Sequence, residues 1–145
     1  MSSTEARLKE LGITLPSPAA PIANYVPFVT TGNILVISGQ ISLGKLGGTV
    51  SAEDGRAAAR LCAINVLAQA KAALGDLDRI TRCVRLGGFI NAMPDYAALP
   101  AIMNGASDLM VEVLGDKGRH ARSTIGVAEL PADAAVEVEA MFEFA

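Results

Sequence analysis

The segment 136–144 is the feature that most restricts how this chain can fold. Apolar side chains occupy every second position there, and the positions between them carry three glutamates and a methionine. Because side chains alternate between the two faces of a strand, one face of this strand must be buried while the other accepts charge. The pattern therefore predicts a closing β-strand in a sheet that is covered on one side only.

The rest of the chain divides into strands and helices that fit such a sheet. We predict strands at residues 25–29, 34–38, 80–90, 121–127 and 136–144, and helices at residues 3–11, 52–74 and 100–114. After the first helix the order is β-β-α-β-α-β-β, which predicts an α+β fold, a β-sheet with two helices packed on one face. The glycine-rich segment 43–50 is predicted to be a loop, and Gly87-Gly88 a bulge or a close backbone approach.

Capping and turn residues mark the ends of these elements. Ser51, with an acid three residues later, is typical of a helix N-cap, and Pro100 suits the first turn of a helix. The helices are expected to stop at Gly75 and Gly115. Thr31-Gly32-Asn33, between the first two strands, indicates a hairpin.

The first 21 residues differ from the rest in composition. A short amphipathic helix is expected to end at Gly12, and three prolines at 16–21 favour an extended linker. We therefore divide the chain into an N-terminal extension, residues 1–21, and one domain, residues 22–145. The first residues lack the basic and apolar regions of a secretory signal, and no apolar run approaches the roughly 20 residues needed to cross a membrane. The expected location is cytoplasmic, with no membrane partner.

Composition narrows the range of partners. Hydrophobic residues make up 51% of the chain and charged residues 19%, and the mean hydropathy is +0.39. Because no membrane segment accounts for it, this high hydrophobic content indicates apolar surface buried between subunits, although alanine-rich helices explain part of the hydrophobic content. The net charge of −3, with no run of Lys or Arg, argues against nucleic acid as the main partner.

The sequence points away from several kinds of catalytic site. His120 is the only histidine, and its loop position beside Gly118-Arg119 favours a solvated side chain over a catalytic one. Cys62 and Cys83 lack metal-ligand spacing and are expected to be buried, reduced thiols, so no metal site is predicted. The glycines at 44–48 are not followed by the Lys-Ser or Lys-Thr of a phosphate-binding loop, and no dinucleotide fingerprint opens a helix. We expect no cofactor.

A charge pair remains on the two closing strands. If 121–127 pairs with 136–144, Arg122 and Glu137 lie together on the face opposite the apolar row. A solvated outer face explains this pattern without any function. The small, weakly polar neighbours Thr124 and Gly126 favour the alternative, a guanidinium that binds a carboxylate beside a glutamate that activates water.

Several segments resemble the YjgF family, also called the Rid or reactive-intermediate deaminase family. In chain order, the resemblance is carried by Ser-Gly-Gln at 38–40, Asn-Val-Leu at 65–67, Asn-Gly-Ala at 104–106, ARSTIGVAELP at 121–131 and VEVEA at 136–140. The likeness extends over residues 22–145. It implies a chorismate-mutase-like fold assembled as a homotrimer, with three clefts between neighbouring subunits.

The resemblance also implies roles for individual residues. Arg122 is implied to bind a substrate carboxylate, and Glu137 to act on the hydrolytic water. The residues implied to line the cleft and contact substrate are Tyr25, Ser38, Gly39, Asn104 and Thr124. The implied reaction is hydrolysis of a small enamine or imine acid of the 2-aminoacrylate type to a 2-oxo acid and ammonia, and the implied partner is a small carboxylate-containing molecule.

Departures from the family pattern leave other functions open. Ala23-Asn24-Tyr25 stands where Gly-Pro-Tyr is usual, and Thr124 stands where cysteine is common. Gly118-Arg119-His120 is typical of a less-studied branch that also tends to carry an N-terminal extension. The same cleft would suit a non-catalytic protein that binds a small carboxylate. Some relatives are called endoribonucleases or translation inhibitors, an activity that the acidic charge disfavours.

Overall fold

A computed structural model describes residues 2–42 and 50–145 of the chain. Its helices are α1 (Ser3–Glu10), α2 (Ala52–Leu74) and α3 (Leu99–Leu114), and its strands are β1 (Phe28–Thr31), β2 (Ile34–Ile41), β3 (Ile80–Asn91), β4 (Ala121–Val127) and β5 (Val136–Phe144). Short 3₁₀ turns lie at Leu77–Arg79, Gly115–Gly118 and Pro131–Asp133. The order of elements confirms the predicted α+β arrangement. The loop predicted at 43–50 lies outside the described residues, apart from Val50.

The strands of the described residues form one mixed sheet in the order β1-β2-β5-β3-β4. β3 and β4 are parallel, and the other neighbouring pairs are antiparallel. The expected pairing of 121–127 with 136–144 is therefore wrong, because β3 lies between those two strands. The physical reason is α3, since a helix that crosses over between two strands returns the chain to the same end of the sheet and makes the pair parallel.

This topology places Arg122 and Glu137 on opposite faces of the sheet. Residues paired across neighbouring strands share a face, and Arg122 pairs with the buried Leu86. The guanidinium of Arg122 also donates to Ser107 on α3, so it lies on the face that the helices cover. Glu137 precedes the buried Val138 and lies on the open face. The expectation that Arg122 and Glu137 share a face is wrong within one chain.

α2 and α3 cover one face of the sheet and enclose the core. The Ser51 side chain accepts a hydrogen bond from the Asp54 N–H, and α2 ends at Gly75, which confirms both predicted ends of this helix. By length and composition α2 could cross a membrane, but 56% of its most apolar stretch is buried inside the fold. Such burial is typical of a core helix that packs on a sheet.

Both cysteines lie in this core. Cys62 and Cys83 are fully buried free thiols. Burial raises the pKa of each thiol to about 12, so both are protonated near neutral pH. The prediction that both cysteines are buried thiols is confirmed.

The hairpin is confirmed, with shifted strand ends. Thr31 pairs with Ile34 across a two-residue turn, and Gly32 has φ +57°, a conformation that favours glycine. β1 begins at Phe28 rather than at residue 25 because Pro27 has no N–H for the strand ladder.

The Gly87-Gly88 pair makes a close approach rather than a bulge. The register shifts between β3 and β5 lie before or at Arg85, so the predicted bulge is wrong. A Cβ on Gly88 would lie 2.4 Å from Met103 Sδ, and one on Gly87 would lie 2.6 Å from Glu139 Oε1. Glycine at both positions lets a helix and a side chain lie against β3, which confirms the alternative prediction.

α1 is docked on the rest of the fold. Its Leu8 is 4% exposed and belongs to the core. The Asp78 carboxylate accepts hydrogen bonds from the backbone N–H and the hydroxyl of both Ser3 and Thr4, at 2.5–3.0 Å. These bonds lower the pKa of Asp78 from 3.8 to about 2, the Thr4 hydroxyl contributing most. The division of the chain at residue 22 stays a prediction.

Asp78→Asn is expected to loosen α1. The substitution removes a negative charge from the helix N-terminus and should lower the local free energy of opening by about 1 kcal/mol. Because the folded-state pKa is depressed, the wild-type contribution is complete above pH 3.8 and is lost as the pH falls toward about 2. Amide hydrogen exchange over residues 3–10 measures this, with Asp95→Asn on an exposed loop as the control. Unchanged exchange in Asp78→Asn would mean that the capping bonds contribute nothing.

Candidate active site

A cleft of about 750 Å³ lies beside the end of β2. β1 pairs with β2 only as far as Ile37, and the next residue, Ser38, bonds to the carbonyls of Val26 and Pro27 instead. Residues 38–41 and Glu137 line one side of the cleft, and the segment 16–27 lines the other. We call this the glutamate cleft. It contains three of the residues predicted from the sequence to contact substrate, Tyr25, Ser38 and Gly39.

A bulge in β2 allows the Glu137 side chain to lie over the strand. The register between β2 and β5 shifts by one residue between Ile37 and Gln40, and Gly39 falls inside this shift. A Cβ on Gly39 would lie 2.7 Å from both Cδ and Oε2 of Glu137, closer than these atoms can approach. Any larger residue at position 39 would displace the carboxylate, so Gly39 has a steric role in setting its position.

Ser38 fixes the loop that presents Tyr25. The Ser38 hydroxyl donates to the Val26 carbonyl at 2.7 Å, and the Ser38 N–H donates to the Pro27 carbonyl at 2.9 Å. The hydroxyl oxygen keeps lone pairs that can accept a hydrogen bond from a ligand. Tyr25 is 44% exposed at the mouth of the cleft, and this exposure allows its ring to contact a ligand or another chain.

A buried pair of amides holds the walls of the cleft together. Gln69 on α2 is 1% exposed, and its Nε2 donates to the Ala19 carbonyl at 2.8 Å and to Gln40 Oε1 at 3.4 Å. The Nε2 of Gln40 donates to the carbonyl of Ser38 at 3.1 Å. Sequence analysis did not identify Gln69, because an isolated glutamine in an alanine-rich helix carries no local sign of a buried partner.

Glu137 has the electrostatic environment of a general base. Burial, and secondly the negative charge of Glu139, raise the pKa of its carboxyl above the ordinary 4.5. Glu139 itself pairs with Arg85 at 3.3 Å. A carboxylate whose pKa is closer to neutral accepts a proton from water more readily.

Arg122 lies elsewhere, on the edge strand β4. Its Nη1 donates to Ser107 Oγ at 3.0 Å, and its Nη2 donates to the Pro100 carbonyl at 3.2 Å. Both acceptors are on α3. We call this group, with Thr124 and His120, the arginine edge.

Two further predicted residues, Thr124 and Asn104, lie on β4 and α3, the elements that form the arginine edge. Thr124 follows Arg122 by two residues on the same face of β4, and within residues 2–42 and 50–145 its buried Oγ1 has no hydrogen-bond partner. Asn104 is exposed on α3, one turn before Ser107. A buried hydroxyl without a partner is costly unless a ligand or another chain supplies one.

The glutamate cleft and the arginine edge are separate within one chain. Glu137 pairs with Phe89, which pairs with Ile125, three residues beyond Arg122. The two functional groups are thus two strand spacings apart, about 10 Å, and a further offset of about 10 Å lies along the strands. Because they also lie on opposite faces, no small substrate contacts both in a single chain.

The structure corrects the expectation for His120. The ring is partly buried rather than solvated, with Nε2 at 2.8 Å from Ser107 Oγ and Nδ1 at 2.6 Å from the Gly118 carbonyl. Sequence analysis missed Ser107 altogether. No local pattern links a helix serine to a loop histidine 13 residues later, and the two meet where the chain turns back at Gly115–Gly118 after α3.

A second cleft, of about 300 Å³, lies between the start of α2 and the end of β3. Its described lining, which includes Ile90, Met93 and Ile102, contains no charged side chain. Among the described residues no group of three or more His, Cys, Asp or Glu side chains is placed to hold a metal ion. Of these places, the glutamate cleft and the arginine edge carry the groups suited to acid–base chemistry and to anion binding.

The fold is the one expected from the YjgF resemblance. Residues 5–143 match the family described as "YjgF/chorismate mutase-like, putative endoribonuclease". The chain therefore belongs to the YjgF/RidA family, and its α+β fold is the chorismate-mutase-like fold of that family.

Individual relatives differ in what is known of them. The chain is 48% identical to Protein TCP17 of Trypanosoma cruzi, over 95% of this chain and 92% of that protein. It is 30% identical to the 2-iminobutanoate/2-iminopropanoate deaminase of Dermatophagoides farinae, over 89% and 92% of the two chains. Among solved structures, Atu1372 of Agrobacterium tumefaciens, a protein of unknown function, has a TM-score of 0.89 at 45% identity, covering 98% of this chain and 92% of that one. TdcF of E. coli with bound serine has a TM-score of 0.66 at 29% identity, covering 91% and 96%.

Proposed function

We propose that this protein hydrolyses small imine acids, such as 2-iminobutanoate, to 2-oxo acids and ammonia. The observation that carries the proposal is the pair of complementary half-sites: a partly buried glutamate with a raised pKa, and a guanidinium held by two acceptors with N–H groups to spare. A relative is named as a deaminase of this substrate class, and another binds serine, a small molecule with a carboxylate.

The chemistry needs few groups, since imines hydrolyse unaided in water. Arg122 binds the substrate carboxylate through paired N–H donors. Glu137 accepts a proton from water as the water oxygen bonds to the imine carbon, and the proton passes to the nitrogen. Glu137 then takes the hydroxyl proton and passes it to the nitrogen, the C–N bond breaks to release ammonia, and the carbon becomes a carbonyl. One imine and one water thus give one 2-oxo acid and one ammonia, with Glu137 regenerated.

This mechanism requires two copies of the chain, because one chain keeps Arg122 and Glu137 apart. We propose a homotrimer in which the arginine edge of one copy meets the glutamate cleft of the next. The open face of the sheet supports assembly, because apolar side chains lie among its acids. They are Val29, Val36, Phe89, Ile125 and Met141, of which Val29, Val36 and Ile125 are 50%, 38% and 49% exposed. Exposed apolar groups of this kind mark interaction surfaces.

The test measures ammonia release and mass on one sample. Purified protein is expected to accelerate ammonia release from freshly generated 2-iminobutanoate above the spontaneous rate, and light scattering at micromolar concentration is expected to give the mass of a trimer. A trimer that binds 2-oxobutanoate but releases no extra ammonia would instead indicate a non-catalytic carboxylate-binding protein. A stable, active monomer would contradict the shared site.

A further inference from the structure

Four groups at the arginine edge form one continuous chain of hydrogen bonds. A carbonyl oxygen only accepts, so the 2.6 Å contact between His120 Nδ1 and the Gly118 carbonyl requires the proton to be on Nδ1. In the neutral ring Nε2 is then an acceptor, and it lies 2.8 Å from Ser107 Oγ. The Ser107 hydroxyl therefore donates to His120.

The direction of this bond determines what Ser107 offers to Arg122. A hydroxyl has one proton and two lone pairs. With its proton directed at His120, Ser107 Oγ presents a lone pair to Arg122 Nη1, which donates to it at 3.0 Å. The Pro100 carbonyl holds Nη2 at 3.2 Å. Two of the five guanidinium N–H groups are thus used, and within residues 2–42 and 50–145 the remaining three have no hydrogen-bond acceptor.

A nucleophilic role for Ser107 does not fit its position. Ser107 lies inside α3, where backbone N–H groups are bonded to carbonyls four residues earlier. The backbone N–H groups of this part of α3 are therefore not available to stabilise an oxyanion. The chain of bonds leads instead to Arg122, the group that the proposed reaction uses.

We propose that Ser107 and His120 are positioning residues that orient the Arg122 guanidinium to make two hydrogen bonds to the substrate carboxylate. In this arrangement His120 is the neutral Nδ1–H tautomer. This inference rests on the proposed function insofar as it takes Arg122 to be the carboxylate anchor. A guanidinium on a flexible side chain presents a defined pair of donors only when its rotamer is fixed by other contacts.

Ser107→Ala is the direct test. It leaves Arg122 in place but removes one of its two acceptors. We expect the Kd for 2-oxobutanoate and the KM for 2-iminobutanoate each to rise about tenfold, with kcat within about twofold of wild type, because the grip serves the ground state and the transition state alike. Ser107→Thr keeps the hydroxyl and is expected to restore both constants. Asp108→Ala, on the exposed side of α3, is the matched control.

A merely structural role would give a different pattern. It would lower the melting temperature or the active fraction without moving KM, and threonine would not rescue it. If Ser107→Thr does not fold, His120→Ala removes the other end of this series of hydrogen bonds. It is expected to raise the Kd for 2-oxobutanoate as well. Unchanged Kd and KM in both Ser107→Ala and His120→Ala would overturn the proposal.

Nitrogen NMR of the wild-type protein provides a test without turnover. At mildly alkaline pH the His120 ring is expected to show the Nδ1-protonated tautomer, and the Nε2-protonated tautomer would contradict the chain of bonds. The two proposals fail separately. A wild type that binds 2-oxobutanoate without releasing ammonia, and is weakened by Ser107→Ala, supports the positioning role against the proposed reaction. Full deaminase activity in Ser107→Ala supports the proposed reaction and contradicts the positioning role. A wild-type protein that binds no carboxylate overturns both the proposed reaction and the positioning role.

Discussion

Arg122→Lys is expected to lower kcat/KM for 2-iminobutanoate by about a hundredfold while leaving the fold intact. Lysine keeps the charge but has a single ammonium in place of a planar fork. It can replace the bond to Ser107 or the bond to Pro100, but it cannot hold both and still present paired donors to a carboxylate. The position of Arg122 on an edge strand, outside the fully buried core, is the reason for expecting little loss of stability.

The matched control is Arg119→Lys. Arg119 lies three residues earlier, is largely exposed, and contacts only Asp116 among the described residues. Activity, trimer mass and melting temperature should all remain close to wild type in this variant. Full activity in Arg122→Lys, with Arg119→Lys also active, would show that Arg122 is not the carboxylate anchor.

The bounds of the strands and helices were readable from the sequence where burial alone determines them. β5 matches its prediction from residue 136 to residue 144 because alternation directly records one buried face. β4 also matches, at 121–127. Alternation does not record which strand lies alongside, however. The insertion of β5 between β2 and β3, and the parallel pairing of β4, depend on how the helices cross over the sheet.

Because alternation does not identify the neighbouring strand, the sequence analysis wrongly placed Arg122 and Glu137 on one face of the sheet. Arg122 and Glu137 occupy alternating strands with similar patterns, so a direct pairing would place them on one face. The intervening β3 and the parallel direction of β4 place them on opposite faces. The residues of the glutamate cleft, by contrast, come from neighbouring strands and a local bulge. The structure therefore places Ser38, Gly39 and Gln40 beside Glu137 in one cleft, and their role in binding substrate stays a prediction.

Glu137→Gln is expected to reduce kcat by about a hundredfold and to leave the affinity for 2-oxobutanoate unchanged. The amide has nearly the same shape as the carboxylate and fits above Gly39, but it is a far weaker base. The control is Glu143→Gln, on the same face of β5, where the carboxylate accepts a hydrogen bond from Thr81 at 2.6 Å. That variant should retain wild-type kcat. Equal kcat in Glu137→Gln and wild type would favour a non-catalytic binding protein.

The pH dependence of kcat is a second test of Glu137 as the general base. A general base must be ionised, so kcat should fall as the pH drops through the pKa of Glu137. Burial and the charge of Glu139 raise that pKa, so each of them moves the acidic limb to higher pH. Glu139→Gln removes the second cause and should move the limb to lower pH. A limb that stays in place in Glu139→Gln would mean that another group titrates.

Mixing the two inactive variants tests whether each site is shared between chains. In trimers assembled at random from equal amounts of Arg122→Lys and Glu137→Gln chains, each interface receives its arginine from one copy and its glutamate from the next. About a quarter of the interfaces then combine a wild-type Arg122 with a wild-type Glu137, so activity should recover to about a quarter of the wild-type value. Co-expression with two different tags ensures that mixed trimers form and can be isolated. If both residues acted within one chain, every site would carry one substitution and no activity would return.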